Sequence, residues 1–354
     1  MKTVLISIIQ LLLAVALLEA GSGLLGVLVP IRAQSEGFTT FAIGLFGSGY
    51  YLGFISGCVA VPALIRRVGY IRTFAGFVSV IAATVLLHPL IVWDTGWVVM
   101  RLIVGFGFAG VYIAVESWLN EIASNETRGR IFSSYMAATW LAVVVGKLLF
   151  GYWDPAAFEP FAVAVILVCL AVVPVAFTTM SAPQPMPQIP FEMRRVLKFS
   201  PLGVVGCVSV GATNGTFWSL GPLYPQVQGL SNSDIGIFMA VAAIGGAFTQ
   251  WPLGKWSDRT DRRRVIAVTS CIASVAGLAL ALLRTGHETI LMTVAVCYGA
   301  GALPLYGLLI AHTNDHAPNE AFVEVSSTLL LTFGVGAVLG VNDGSKARIT
   351  VHNA

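Results

Sequence analysis

Residues 254–264 read Gly-Lys-Trp-Ser-Asp-Arg-Thr-Asp-Arg-Arg-Arg and separate two apolar runs, at 235–253 and 265–283. Each run is close to the length of about 20 apolar residues that an α-helix needs to cross a bilayer. A short loop rich in Lys and Arg between two spanning helices stays in the cytoplasm, because these residues resist translocation. Gly254 would let two helices approach closely, and Asp258 could hold a helix N-terminus or pair with an arginine. The loop is therefore either a latch or a charge cluster that only sets topology.

The composition is that of an integral membrane protein. Apolar residues make up 56% of the chain and charged residues 10%, and the mean hydropathy is +0.84; soluble domains have about 25% charged residues. The net charge of +3 is spread over short loops, which does not indicate nucleic-acid binding. The five cysteines lie far apart within apolar runs, and we predict buried free thiols without a disulfide or a metal site.

Eleven apolar runs, numbered here in chain order, lie at 3–30, 41–65, 74–93, 96–118, 131–152, 160–179, 201–225, 235–253, 265–283, 288–311 and 322–341. Fourteen of the 20 Lys and Arg residues fall at the N-terminus or in alternate loops, while the intervening loops hold only Arg32 and Arg284. This asymmetry predicts a cytoplasmic N-terminus. The first run begins like a secretory signal, but it stays apolar to Pro30, which favours a retained span.

The sequence contains an internal repeat. A shift of 192 positions matches Pro30 with Pro222, Gly37 with Gly229, Gly53 with Gly245, Arg67 with Arg259 and Arg72 with Arg264. After a two-residue insertion, a shift of 194 matches Gly105 with Gly299, Tyr112 with Tyr306, Asn120-Glu121 with Asn314-Asp315 and Gly146 with Gly340. Two copies of a six-helix unit in the same orientation form a parallel repeat.

The repeat predicts an all-α membrane protein of two six-helix bundles. We expect an N-terminal bundle at 1–180, a cytoplasmic linker at 181–199, which is rich in Pro and then basic, and a C-terminal bundle at 200–341. The sixth run should recur near 354–373, but the residues at 342–354 are polar and the chain ends at Ala354. The second bundle is therefore expected to have five helices and a polar tail.

Over nearly its whole length the chain resembles the major facilitator superfamily of secondary transporters, which has two six-helix halves. That family carries a motif near Gly-x3-Asp-Arg-x-Gly-Arg-Arg between helices 2 and 3 and again between helices 8 and 9, where it gates transport. The second copy here matches at Gly254, Asp258, Arg259, Arg262 and Arg263, with Asp261 in place of a glycine. The first copy keeps Arg67, Gly69 and a displaced Arg72, but has Pro62 and Arg66 in place of the leading glycine and the acid.

Two further stretches refine this resemblance. The spacing Arg101-x3-Gly105-x-Gly107 in the fourth run is similar to a family motif whose arginine is implicated in proton coupling. Residues 115–121, Val-Glu-Ser-Trp-Leu-Asn-Glu, look like a little-characterised bacterial branch of the family. The fifth run lacks the Gly-Pro that is typical of the family's proton-coupled drug antiporters.

We take four of the charged residues inside apolar runs as candidates: Glu19, Arg101, Glu116 and Lys147. Each costs about 2.5–3.5 kcal/mol on insertion scales, which makes it a candidate for a substrate or proton pathway. Glu19 and Arg101 could form a structural ion pair, or Glu19 could be a carboxylate whose protonation is linked to substrate occupancy. With Lys147, two cations would face one nearby anion, which favours an anionic substrate unless Lys147 extends towards the membrane surface.

In the second half the pathway candidates are neutral. Asn214, Trp218 and Tyr306, together with Tyr112 in the first half, could orient a ligand or could serve only in packing. His312 and His316 have the spacing of a metal pair, but we interpret them as solvated loop residues. The sequence has no P-loop, GxSxG or HExxH motif that would support an ATP-driven pump or a hydrolase.

The sequence therefore predicts a secondary transporter of the cytoplasmic (inner) membrane. It would carry a small solute by alternating access, as a symporter or antiporter driven by protons or by the substrate gradient. We expect no enzyme activity, no cofactor or metal, no nucleic-acid partner and a monomer in the bilayer. The alternative is a transport-inactive membrane sensor or truncated fragment that keeps the fold.

Overall fold

A computed structural model describes residues 2–124, 127–178, 193–283, 288–318 and 321–352, and these ranges contain helices and no strand. The chain divides into two compact units, Met1–Gln188 and Ile189–Ala354. The helices of the first unit are α1 (Lys2–Ser35), α2 (Thr40–Val68), α3 (Tyr70–Leu90), α4 (Asp94–Ile122), α5 (Arg128–Leu149), α6 (Glu159–Leu170) and α7 (Val172–Ala176). Those of the second unit are α8 (Met193–Phe199), α9 (Pro201–Leu220), α10 (Leu223–Val227), α11 (Asn232–Arg259), α12 (Arg262–Leu282), α13 (Glu288–Ala302), α14 (Leu305–Asn314) and α15 (Phe322–His352).

The helices confirm a protein that crosses a membrane many times. In the described ranges, 10 helices are long and apolar enough to span a bilayer, or up to 11 if α8 and α9, which meet at a bend of 111°, count as one span. The polar residues at 342–352, which we expected to form a tail, continue α15 as helix. The end of the apolar pattern at Val341 is therefore not the end of the helix.

The repeat is visible in the way that helices begin. Gly37 and Gly229 both have a left-handed backbone, with φ of 79° and 80°, a conformation that glycine adopts without steric cost. Two residues later, the hydroxyl of Thr39 accepts a hydrogen bond from the amide of Ala42, and Ser231 caps α11 in the same way. These caps satisfy backbone donors that a helix start leaves unpaired.

Paired glycines bring helices into backbone contact in each unit. In the first unit α2 packs most extensively on α4, where a Cβ on Gly53 would collide with the carbonyl oxygen of Leu102. In the second unit α11 packs on α13, where a Cβ on Gly245 would collide with the carbonyl oxygen of Val296. These four residues are related by the repeat. Small residues at such crossings allow helices to approach closely in lipid.

Helix α8 is tied to the second unit by an ion pair. Arg195 donates to Glu324 of α15 at 2.9 Å, and Glu324 is buried. Within the described residues, the second carboxylate oxygen of Glu324 has no hydrogen-bond partner. The chain bends after Phe199, and Ser200 caps α9 by accepting from the amide of Gly203 at 2.9 Å.

The five cysteines are free, as predicted, but the prediction of burial is wrong for three of them. Cys207 is buried and Cys58 is half-buried, whereas Cys169, Cys271 and Cys297 are exposed. An apolar run shows that a helix lies in the membrane, but lipid-facing and core-facing positions have similar residues, so the run does not show which face is buried.

Candidate functional site

Glu19 is the buried acid of α1. Its side chain lies among apolar residues with 3% of its surface exposed, and Oε1 accepts a hydrogen bond of 2.5 Å from the Tyr112 hydroxyl of α4. Of the two alternatives for Glu19, the structural ion pair with Arg101 does not form: in the part of the chain that the structure describes, no cation pairs with Glu19. The carboxylate is therefore held by a neutral donor.

Arg101, about two turns from the start of α4, packs on a tyrosine instead. Its guanidinium carbon lies 4.8 Å from the ring centroid of Tyr50, the geometry of a cation–π contact. The side chain is half-buried, and among the described residues no acceptor forms a hydrogen bond or an ion pair with it. Its N–H donors are therefore available to a ligand.

Four aromatic rings connect Arg101 with Glu19. Tyr50 and Phe54 lie about one turn apart on α2, with ring centroids 6.5 Å apart. Phe108 and Tyr112 lie about one turn apart on α4, with ring centroids 5.9 Å apart. Across the two helices, Tyr50 lies 6.2 Å from Phe108 and Phe54 lies 6.1 Å from Tyr112. We call these four residues the aromatic ladder. Arg101 lies at its Tyr50 end and Glu19 at its Tyr112 end.

The other two charged candidates also belong to the first unit. Glu116 of α4 has an exposed side chain and accepts a hydrogen bond of 3.2 Å from the Tyr135 hydroxyl of α5. Lys147 of α5 is buried, and a methyl group on Gly26 of α1 would lie 3.8 Å from its Nζ. Arg101, Lys147 and Glu19 thus come from three helices of one bundle.

The repeat shows that the fold does not require these side chains. The positions in the second unit that correspond to Glu19, Arg101 and Lys147 are Gly211, Ala295 and Val341. Those that correspond to Tyr50, Phe54 and Phe108 are Ala242, Gly246 and Ala302, and only Tyr112 keeps its ring, as Tyr306. Since the same helix pair packs in the second unit with small residues, the ladder is an addition to the scaffold.

Sequence reasoning missed most of the ladder and Tyr135. Aromatic residues are common in apolar runs, so the spacing of Tyr50 and Phe54 on one helix does not show that a second pair meets it. The usable signal was the loss of aromatic residues at the repeat positions Ala242, Gly246 and Ala302.

The neutral candidates of the second unit lie on two helices, Asn214 and Trp218 on α9 and Tyr306 on α14. Asn214 of α9 is buried, and its Oδ1 has no partner within the described residues. Trp218 lies one turn further on, with its ring 5.2 Å from that of Phe217. Tyr306 of α14 packs its ring 5.1 Å from Phe333 of α15. These residues add hydrogen-bonding and aromatic groups but no charge.

Arg262 is the centre of the loop between α11 and α12. It donates to Asp258 at 2.9 Å and to Ser257 at 3.0 Å, and its Nε donates to Asp315 at 2.5 Å. Asp258 therefore pairs with an arginine rather than with a helix N-terminus. Asp261 caps α12 by accepting from the amide of Arg263 at 2.9 Å. The loop is thus joined to the end of α14.

The other residues of the loop, and those of its first copy, are mostly exposed and make fewer contacts than Arg262. Gly254 is not at a close approach, because a Cβ there would meet no described atom within 4 Å, and that expectation is wrong. Arg259 and Arg263 are exposed. In the first copy, Gly69 joins α2 to α3 with φ of 84°, and Arg67 and Arg72 are exposed. The repeat position of Arg262 is Tyr70, so the first copy lacks the arginine that pairs in the second.

The interpretation of His312 and His316 as solvated loop residues is wrong for His312. It lies in α14 with 2% of its surface exposed, and its ring centroid is 4.5 Å from that of His316. Both histidines line a cavity of about 540 Å³ with Asp258, Arg262 and Asp315. Over the described residues, no group of three or more His, Cys, Asp or Glu side chains could hold a metal ion.

Known proteins share this architecture. The structure of the nucleoside transporter NupG matches with a TM-score of 0.80 at 13% identity, covering 98% of this chain and 91% of that one. A bacterial homolog of the human lysosomal transporter Spinster, in an inward-facing unoccupied conformation, matches with a TM-score of 0.77 at 16% identity, covering 95% of this chain and 80% of that one. At these identities the likeness is one of fold.

Proteins that are similar in sequence indicate the same class of membrane transporter. The uncharacterized MFS-type transporter YcaD of Escherichia fergusonii is 28% identical over 335 residues, covering 94% of this chain and 86% of the relative. An uncharacterized MFS-type transporter of Enterobacter sp. (strain 638) is 30% identical over 339 residues, with the same coverage. The fold and its relatives define a multi-pass transmembrane transporter. The family model of the Major Facilitator Superfamily matches residues 11–341, and the chain belongs to that family.

Proposed function

We propose that this protein is a secondary active transporter that moves a small anionic solute by alternating access, with Glu19 as its proton-binding group. The observation that carries the proposal is the buried carboxylate of Glu19, which Tyr112 holds at 2.5 Å and with which no cation pairs among the described residues. An unpaired charge inside a membrane protein is expensive, so a site that keeps one is a functional site by default.

Tyr112 suits a carboxylate that gains and loses a proton. A phenol can donate to a carboxylate oxygen and can accept from a protonated carboxyl, so the pair can stay bonded in both states. A salt bridge to Arg101 would have opposed protonation, because the arginine would be left uncompensated. The arrangement therefore supports proton coupling, as symport or antiport.

The charges of the first unit support an anionic solute. Arg101 and Lys147 contribute two cations from α4 and α5, while Glu19 contributes one buried acid from α1. A net positive site in a low-dielectric environment attracts anions more strongly than the same charges would in water. The loop lysines and arginines further support a cytoplasmic N-terminus in the inner membrane.

The test is uptake into proteoliposomes from a panel of radiolabelled small organic acids, with and without an imposed pH gradient. The wild-type protein should accumulate at least one acid only when the gradient is present. Glu19→Gln keeps the shape and the hydrogen bond but cannot titrate, so it should lose accumulation and retain exchange of the acid down its own gradient. Glu121→Gln, on an exposed residue, is the matched control and should behave as the wild type. Gradient-driven accumulation that persists in Glu19→Gln would exclude this residue as the coupling group.

A further inference from the structure

We propose that the aromatic ladder, with Arg101 at one end, is a binding site for a flat aromatic carboxylate. This inference rests on the proposed function, since it names the substrate class of the same site. It concerns the ring of Tyr112 together with those of Tyr50, Phe54 and Phe108, and the last three are required neither by the fold nor by the proton-binding role of Glu19.

Three of the four ladder rings are only partly covered by packing, so part of their aromatic surface is exposed. Phe108 is buried, but Tyr50, Phe54 and Tyr112 are each half-buried and keep part of their rings exposed. The rings of Tyr50 and Phe54 lie within 25° of parallel, so they form a continuous surface along α2. A planar conjugated ring stacks on such a surface, and a saturated ring of the same size gains only burial of apolar area.

Arg101 supplies the second recognition element. The guanidinium carbon of Arg101 lies 4.8 Å from the Tyr50 ring centroid, and the N–H groups of a guanidinium match the two oxygens of a carboxylate. In the described residues nothing accepts from it, so a ligand carboxylate would complete its hydrogen bonding.

Glu19 fixes the orientation of the ligand. Because Glu19 lies at the Tyr112 end of the ladder, an anionic group placed there would face a carboxylate. The carboxylate of the ligand therefore goes to the Arg101 end, and its ring extends along the ladder towards Tyr112.

The repeat provides independent support. If the rings served only to pack α2 on α4, the equivalent pair α11 and α13 would need rings of similar size. That pair packs around Ala242, Gly246 and Ala302 instead. Three of the four ladder rings and the arginine are thus absent together from the second unit.

The test is isothermal titration calorimetry on the purified full chain in detergent, with three probes. Benzoate has a flat ring and a carboxylate, cyclohexanecarboxylate lacks the flat ring, and benzyl alcohol lacks the carboxylate. Benzoate should bind, and each of the other two probes should bind at least about tenfold more weakly. The reason is that stacking and charge-assisted hydrogen bonds each change affinity by about that factor. Equal binding of benzoate and cyclohexanecarboxylate, or no binding of benzoate, would overturn the proposal.

Variants separate the two recognition elements. Arg101→Gln and Phe54→Leu should each weaken benzoate binding about tenfold, while Phe248→Leu, on an exposed phenylalanine of α11 outside the ladder, should bind as the wild type. Each variant is first checked for an unchanged melting temperature. If benzoate binding is unaffected by Arg101→Gln in folded protein, the carboxylate binds elsewhere and the proposal is wrong.

The binding assay also distinguishes this proposal from the transport mechanism. Glu19→Gln removes a carboxylate that repels the ligand carboxylate but none of the stacking rings, so it should bind benzoate at least as tightly as the wild type while losing gradient-driven uptake. Benzoate binding without gradient-driven uptake of any acid would leave the ladder site standing and remove the proposed coupling. Gradient-driven uptake of a non-aromatic acid, with no benzoate binding, would support the proposed coupling and overturn the ladder site.

Discussion

The hydroxyl of Tyr112 donates to Oε1 of Glu19 at 2.5 Å and joins α4 to α1 inside the first unit. The bond links two residues separated by 93 positions in the chain, and it places a neutral donor where a cation would otherwise be needed. Glu19 can therefore change its protonation state without breaking a salt bridge.

Replacing Tyr112 with Phe tests this relationship. The variant keeps the ring of the ladder but leaves a buried carboxylate without its donor, which costs about 1–3 kcal/mol. We expect a lower melting temperature in detergent and weaker gradient-driven uptake, with benzoate binding retained. Tyr152→Phe, on an exposed tyrosine, is the control and should change none of these quantities. A Tyr112→Phe protein with wild-type melting temperature and uptake would show that the bond has no role.

The sequence located the charged residues of the site but not their partners. Glu19 and Arg101 stand out because a charge in an apolar run is costly. Which groups they meet depends on the rotation and separation of α1, α2 and α4, and these are set by backbone contacts such as that between Gly53 and Leu102. A pattern along one helix carries no information on that separation, so the sequence could not decide between an ion pair of Glu19 with Arg101 and a carboxylate without a cation.

The fold was easier to predict than the site, because it follows from two long-range regularities. The spacing of apolar runs gives the spans, and the repeat of Gly37 and Gly229, or of Gly53 and Gly245, gives two similar bundles. The helical continuation of α15 through 342–352 was not predictable from apolarity, because helices extend beyond the membrane wherever the backbone hydrogen bonds can continue.

Arg262 should hold the loop between α11 and α12 against the end of α14 through the carboxylates of Asp258 and Asp315. Asp258→Asn removes one partner while Asp315 still accepts from Nε at 2.5 Å, so we expect transport to fall and expression to persist. The double variant Asp258→Asn, Asp315→Asn frees Arg262 and should transport less than either single variant. Exposed ion pairs contribute only about 0–1 kcal/mol, so melting temperatures should change little. Initial uptake rates per amount of reconstituted protein decide the matter, and full activity of the double variant would leave the loop with a role in topology only.

Gly53 should be intolerant of a methyl group. Gly53→Ala drives a Cβ into the carbonyl oxygen of Leu102, and overpacking of this kind costs about 1–3 kcal/mol. Gly76→Ala in α3 is the matched control, because a Cβ there meets nothing within 4 Å, and it should leave stability unchanged or raise it by up to about 1 kcal/mol. Thermal unfolding in detergent measures both, and an unaltered melting temperature in Gly53→Ala would contradict the contact between α2 and α4.

The ion pair of Arg195 with Glu324 should stabilise the second unit. Arg195→Ala leaves a buried carboxylate without its donor, and we expect a loss of about 1 kcal/mol, at the low end for a charged hydrogen bond because Arg195 is exposed. Arg194→Ala removes an adjacent exposed arginine and should have no effect. Adding Glu324→Gln to Arg195→Ala should recover stability, since no charge then remains buried. Equal melting temperatures for the two arginine variants would show that the pair contributes nothing.

Accessibility of single cysteines tests the orientation. In a background without native cysteines, a membrane-impermeant maleimide added to intact cells should label Glu36→Cys, between α1 and α2, and should not label Thr260→Cys, between α11 and α12. Both sites lie in loops, and the second loop carries the basic residues that are retained in the cytoplasm. After permeabilisation both variants should react. The opposite pattern in intact cells would reverse the topology.

The contact of Gly53 with Leu102 and its counterpart of Gly245 with Val296 have a mechanical consequence. Backbone atoms meet at each crossing, so the two helices cannot move closer together, and a relative tilt would drive a glycine Cα into a carbonyl oxygen. We therefore expect helices α2 and α4 to move together, and likewise α11 and α13. Each pair behaves as one stiff lever, and the flexibility that a working cycle demands has to come from the joints around those levers.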